Sequence, residues 1–190
     1  MKNAGVFMKL LNRSALICGL MLLIGCAAPA QFENMIVKQA PDNIFDSALK
    51  EQVEVATVQG GSGTNPLWLS QISNSNFQKA ITESLSIHGL LANNGRFNLK
   101  VTLLNADQPM VGLDFKVVTS VNYTVVDNNT NKVLFDETIK AAHKAFFGDE
   151  FDRVTRLKIA NEGSGKNNIK TFLEQLSKLD VNSGQLFLTN

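Results

Sequence analysis

The hydrophobic periods of this chain predict an α+β fold: a β-α-β-β-β-α two-layer sandwich, with a mostly antiparallel sheet and both helices on one face. Three observations carry the prediction. Phe97, Leu99, Val101 and Leu103 alternate strictly with Asn98, Lys100 and Thr102, the period of a half-buried strand. Phe77, Ile81, Leu85 and His88 recur every four residues, with Ala80, Ser84 and Ile87 beside them, which marks one face of a helix. The polar cluster DNNTNK at 127–132 separates two further alternating segments and reads as a hairpin turn.

Taken in order, QVEVATV at 52–58 predicts a first strand. A glycine-rich connection, GGSGTNPLW, follows it. Ser75 then reads as a helix N-cap, with Gln78 completing a capping box, and Gly89 as a left-handed stop. After the strand at 97–103, Pro109 interrupts the alternation. Leu113, Phe115, Val117, Val121, Tyr123 and Val125 define the inward face of a long strand. Val133, Phe135, Ile139 and Ala141 define its returning partner. Glu137 breaks that series, which predicts a bulge or an edge position there. Asp149 is the expected cap of the last helix, with Glu150 and Asp152 in its first turn. Phe151, Val154 and Leu157, then Ile169, Phe172, Leu173 and Leu176, form its stripe, and Phe146, Phe147 and Phe151 read as core. Gly163 and Gly165 predict one weakened helix or two with a kink, since each costs ~1 kcal/mol against alanine.

The first residues differ in kind. Met1 to Arg13 carries Lys2, Lys9 and Arg13 and no acid, and SALICGLMLLI at 14–24 carries no charge. This is a basic region followed by an apolar one of signal-peptide length. As a helix it would span roughly 16 Å, short of the ~30 Å hydrocarbon core of a bilayer. The next residues, Leu23-Ile24-Gly25-Cys26, look like a bacterial lipobox, with cleavage between Gly25 and Cys26 and acylation of Cys26. Ala27, in place of an aspartate, resembles the sorting signal of outer-membrane lipoproteins. The chain thus divides into a leader (1–25), a tether from the lipidated cysteine (26–50), an α+β domain (51–181) and a tail (182–190). The expected location is the outer membrane, lipid-anchored and facing the periplasm.

Cysteine usage agrees. Cys18 falls in the leader and Cys26 is consumed by lipid, so the mature chain has neither a free thiol nor a disulfide. Without the three leader cations, 15 basic residues face 17 acidic ones, a net charge of −2. That balance gives no basic face for nucleic acid.

Each catalytic template that the glycines suggest is incomplete in the sequence. A phosphate-binding loop requires G-x-x-x-x-G-K-[ST]. The connection at 60–68 has no lysine near its glycines. Gly165-Lys166 is followed by Asn167, which lacks the metal-binding hydroxyl. A nucleophile elbow requires G-x-S-x-G, and Gly60-Gly61-Ser62-Gly63 continues with Thr64. His88 and His143 have no second ligand nearby in sequence, so neither a metal nor a cofactor is expected beyond the covalent lipid. The acids of FGDEFD suit a helix N-terminus. The connection remains a candidate binding loop through Gly60, Gly61, Asn65 and Trp68, with Trp68 either plugging the sheet or displayed to a partner.

The pieces TNPLW at 64–68, GRFNLKVTLLNADQP, VLFDETI and RLKIANEGSGKNNIKTFLEQL together resemble a family of small Gram-negative lipoproteins over about 53–179. More distantly, the plan is similar to YajG-like lipoproteins and TolB-amino-domain-like modules of the envelope. The resemblance implies membrane attachment through acyl chains, an envelope protein as partner and no established activity. Related proteins sometimes carry the label of an acyltransferase on UDP-N-acetylglucosamine. That enzyme family is a left-handed β-helix of hexapeptide repeats, a period absent from this chain. The expected function is a non-catalytic accessory or interaction module. An envelope acyltransferase and a carrier of hydrophobic ligands are the alternatives.

Overall fold

The computed structural model describes residues 28–39, 44–63, 70–109, 111–181 and 185–186. A short helix α1 (Phe32–Met35) and a 3-10 turn (Ser47–Leu49) precede strand β1 (Val53–Gln59). Helix α2 (Asn74–Ile87) leads to β2 (Phe97–Asp107), β3 (Phe115–Asp127) and β4 (Lys132–Ala145). Helix α3 (Arg153–Leu176) follows, and the two-residue strands β5 (Leu179–Asp180) and β6 (Gln185–Leu186) pair antiparallel. The sheet order is β1-β2-β3-β4. β1 is parallel to β2 through the α2 crossover, and the other pairs are antiparallel. α2 packs on β1 and α3 on β3 and β4, so the helices form one layer, with α1 touching both. The predicted sandwich and strand-helix order hold.

The core lies between the layers. Phe77, Ile81 and Leu85 of α2 and Phe172, Leu173 and Leu176 of α3 bury against Leu99, Val101, Val121, Tyr123 and Val125. The Tyr123 and Phe172 rings stack at 4.3 Å. A second cluster of Phe115, Val117, Ala145, Leu157 and Ala160 fills the end where α3 begins.

The helix caps shift from their expected places. Ser73, not Ser75, caps α2: its hydroxyl accepts from the Asn76 N–H at 3.2 Å. Asp152, not Asp149, caps α3 by accepting from the Thr155 N–H at 2.7 Å, so no acid lies in the first turn. In both segments several side chains could cap, and the one at the extended-to-helical transition of the backbone does so. Gly89 ends α2 at φ +67°, as expected.

Strand faces depart from the alternation at irregularities. Leu134 is the extra residue of a bulge, since Val125 pairs Phe135 and Val126 pairs Val133. Leu134 and Phe135 are therefore both buried and Val133 is exposed. The register runs unbroken through Glu137, which stays exposed because β4 is a sheet edge. Leu113 precedes β3 and is exposed. Phe146, Phe147 and Phe151 are exposed too and do not belong to the core. The stretch at 28–39, read as tether, is built into the domain: Ala30, Met35 and Val37 are core residues.

α3 is one unbroken helix of 24 residues. Its glycines are sites of close approach. A Cβ at Gly163 would fall 2.2 Å from Cδ2 and 2.3 Å from Cγ of His143, and one at Gly165 2.7 Å from Sδ of Met35. Between them Ser164 reaches the β3–β4 seam. It accepts from the Thr119 N–H and donates to the Ala141 carbonyl, both at 3.0 Å. One turn on, buried Asn168 donates to the carbonyls of Thr119 (3.1 Å) and Ile139 (3.0 Å) and accepts from the Tyr123 hydroxyl (2.8 Å). Burial holds the Tyr123 pKa well above its ordinary value, so this hydroxyl is a permanent donor. Asn161 donates to the Ser70 carbonyl and accepts from Gln108, both at 2.9 Å. Glu162 accepts from the Gln31 N–H at 2.7 Å and from Asn34 at 2.9 Å, fastening α1 to α3.

Gly163→Ala is expected to destabilise the protein by ~1–3 kcal/mol in urea unfolding, although alanine is the better helix former. Because Cγ of His143 is itself in the way, ring rotation does not relieve the clash, and His143→Ala should restore stability. An unchanged or raised midpoint for the single variant would overturn this. Asn168→Ala should cost about 2–4 kcal/mol, because it orphans two carbonyls and the Tyr123 hydroxyl.

At the far end of β3, Arg96 grips Asp127 in two bonds of 3.1 and 2.8 Å. Bonding to Arg96, more than any other group, holds the Asp127 carboxyl far below the usual carboxylate range. A depressed folded pKa contributes stability that is full above the unfolded value of about 4 and declines as pH falls beneath it. Wild type should therefore lose more stability than Asp127→Asn between about pH 6 and about pH 3. Equal losses would show that the pair contributes nothing.

Candidate functional site

The glycine-rich connection leaves β1 at Gln59. Gly60 has φ +84°, and a Cβ there would fall 2.1 Å from the Leu103 carbonyl oxygen. Gly61 lies against the start of α2: its N–H donates to Asn74 Oδ1 at 2.6 Å, and a Cβ would meet Asn74 N at 2.7 Å. Ser62 donates its N–H to the Ile72 carbonyl. Both glycines thus serve close backbone passage over β2 and the α2 cap. With Ser62, Gln71, Ile72 and 103–106 they line a shallow pocket of about 190 Å³. Asn65 and Trp68 lie outside the described residues, as do Gly25 and Cys26.

The titratable groups weighed as catalysts sit apart from one another in their contacts. His88 closes α2 and its ring faces Phe45 at 6.1 Å between centroids. Burial lowers its pKa and favours the neutral ring. His143 lies on β4 over Gly163. Asp149 accepts from the Phe146 N–H at 2.7 Å, closing the turn after β4. Among the described residues no cluster of three His, Cys, Asp or Glu side chains could hold a metal. No described helix is long and apolar enough to cross a membrane.

The surface feature that sequence reasoning missed is aromatic. Val111 and Leu113 before β3, and Phe146, Phe147 and Phe151 after β4, are all exposed, Phe151 at 76%. The first β3–β4 pair, Phe115 with Ala145, brings the two segments side by side. Polar groups beneath hold them in place. Asp114 accepts from the Phe147 N–H at 3.1 Å and pairs with Lys144 at 2.8 Å. Lys144 first, then the Phe147 N–H, lowers the Asp114 pKa. Arg156 is buried, lies 5.0 Å from the Phe115 ring and 5.2 Å from the Phe147 ring, and donates to the Glu150 and Phe151 carbonyls. Phe147 and Phe151 meet edge to face at 5.2 Å. The available signal was FFGDEF itself: three aromatics around a glycine turn, where a buried strand would alternate.

Two further grooves border the α1 segment. One of about 470 Å³ runs along Phe32, Ser75, Gln78, Lys79, Thr82 and Glu83. The other, about 600 Å³, is lined by 37–39 with Lys166, Asn167, Lys170 and Glu174.

No protein-family model and no curated protein matches this chain. The matches are structural. A Xanthomonas campestris protein of the DUF330 family superposes with a TM-score of 0.51 at 12% identity, over 73% of this chain and 94% of its own. A provisionally named lipoprotein of Caulobacter crescentus reaches 0.49 at 9% identity, over 69% of this chain and 90% of its own. A minor lipoprotein of Acinetobacter baumannii reaches 0.46 at 10% identity, over 67% and 93%. At such identity the likeness to the Xanthomonas protein is one of fold: the chain shares its α+β plan over nearly the whole of that protein's length.

Proposed function

We propose that this chain is a lipoprotein of the Gram-negative envelope, held on the outer membrane by acyl chains on Cys26, facing the periplasm and acting as a non-catalytic interaction module. The observation that carries the reading is the sequence Leu23-Ile24-Gly25-Cys26 in register behind a basic and an apolar segment. Several acyl chains on one cysteine anchor a protein stably, where a single chain binds only marginally.

Two features support a non-catalytic role. His88, His143 and Asp149 are each engaged in separate packing or turn contacts, His88 with Phe45, His143 over Gly163 and Asp149 with the Phe146 N–H. The layer between sheet and helices is filled by Phe77, Ile81, Leu99, Tyr123, Phe172 and their neighbours. A filled layer argues against a carrier that houses its ligand there. Interaction through the β4 edge is discouraged by Lys132, Lys140 and Lys144, the charges that commonly guard a strand edge. The loop ends are the better contact surfaces.

Cells expressing the protein should incorporate labelled palmitate into it and retain it in the membrane fraction. Cys26→Ser should abolish the incorporation; continued labelling would refute the lipobox assignment.

A further inference from the structure

We propose that the aromatic end of the domain, formed by Val111, Leu113, Phe146, Phe147 and Phe151, rests in the phospholipid surface that holds the acyl chains of Cys26. This rests on the lipidation of Cys26 proposed above.

The first argument is reach. Only Ala27 stands between Cys26 and Ala28, so the two are at most about 7 Å apart along an extended chain. Ala30 is already fixed: its N–H donates to the Gln71 carbonyl at 3.1 Å, and its carbonyl accepts from Asn76 at 2.7 Å. Gln31 is fixed to Glu162. The folded body therefore begins within a few residues of the lipid, and one of its faces must lie against the bilayer.

The second argument is direction. From Gln31 beside Glu162 the chain runs to 37–39 beside Lys166, Lys170 and Glu174, parallel to α3. Followed backwards, it points to the N-terminal end of α3. Glu162 stands nine residues from Arg153, roughly 14 Å along the helix. Gln108 marks the same end. It donates to the Ser70 carbonyl and to Gln71, the residue that holds Ala30, and Val111 and Leu113 stand three and five positions further along the chain. The first described residues, which follow Cys26, and the aromatic loops thus lie toward one end of the domain.

The third argument is chemistry. Five large apolar side chains side by side in water mark a contact surface, and aromatic rings with polar groups behind them suit the headgroup boundary. The acids nearby are turned to structural tasks. Asp114 pairs with Lys144, and Asp149 and Asp152 accept main-chain N–H groups. Lys144 also lies 4.6 Å from the Phe146 ring centroid. Such a surface is matched to zwitterionic phospholipid, with apolar contact rather than charge as the attraction.

The test uses the mature lipidated protein in vesicles of phosphatidylethanolamine and phosphatidylcholine. A single cysteine at Leu113 or Phe151, or at Asn129 in the turn at the opposite end of β3, carries a spin label. Acylated Cys26 leaves no competing thiol. The ratio of accessibility to oxygen over a water-soluble nickel chelate should be at least several-fold higher at Leu113 and Phe151 than at Asn129. Phe147→Asp in the Leu113-labelled protein should bring that ratio down while the protein stays on the vesicles. Equal, water-like ratios at both ends of an acylated chain would overturn the orientation and leave the anchor standing. Protection at Phe151 that depends on protein concentration without vesicles would assign the face to a second copy and overturn it too. A mass without acyl chains would refute the anchor, and the orientation with it.

Discussion

Helix α3 can settle onto the sheet only because its middle lacks side chains where the approach is closest. Gly163 meets the His143 ring, Gly165 meets Met35, and Ser164 between them bonds into the β3–β4 seam. A helix with larger residues there would stand further off. Ser164 and Asn168 could then no longer reach the main-chain groups of Thr119, Ile139 and Ala141. Those polar groups would be buried and unsatisfied, at a cost of about 1–3 kcal/mol each. Close approach and polar satisfaction are thus one constraint, and the stacking of Phe172 on Tyr123 one turn later depends on it.

That constraint explains why the glycines do not break the helix. Their intrinsic penalty of ~1 kcal/mol each is local, whereas the contacts they permit are tertiary. A continuous helix wins because breaking it would detach Asn161, Glu162, Ser164 and Asn168 from four different parts of the chain: the segment at 70, α1, the β3–β4 seam and Tyr123. Buried polar ties of this kind fix register, because a one-residue rotation of α3 would misplace all of them at once.

What the sequence made legible follows from periodicity. The alternation from Phe97 to Leu103 and the recurrence of Phe77, Ile81 and Leu85 in α2 are properties of single elements and appear where expected, whereas Ile87, expected on the same helix face, is exposed in the last turn and His88 caps the helix. What was illegible depends on two elements meeting. Leu134 becomes a bulge only through its pairing with β3, and nothing in VLFDETI distinguishes it from Val133. The Gly163–Gly165 pair reads as a weak helix unless His143 and Met35 are known to lie opposite. The core role of Ala30, Met35 and Val37 was hidden because the segment has no clean period; its bonds go to Gln71, Glu162 and Ser84, far along the chain. The aromatic loops were misassigned for the opposite reason. Phenylalanine is mostly buried, and only the position of both segments beyond the ends of β3 and β4 places five apolar side chains outside. Of the candidate loop, Gly60 and Gly61 carry a backbone role that their spacing alone did not reveal.

The same helix carries the core and the residues that follow Cys26. Glu162 points away from the sheet-bound side of α3 and takes the N–H of Gln31 and the amide of Asn34. Lys158 one turn earlier stands 3.7 Å away. A carboxylate at that position therefore sets where the N-terminal segment lies along α3, and so where a lipid on Cys26 would emerge relative to the sheet. Ser164 and Asn168 fix the helix against β3 and β4, which lead into the aromatic loops. The segment from Ala30 to Val37, the register of α3 and the position of the loops are thus set by one connected series of contacts.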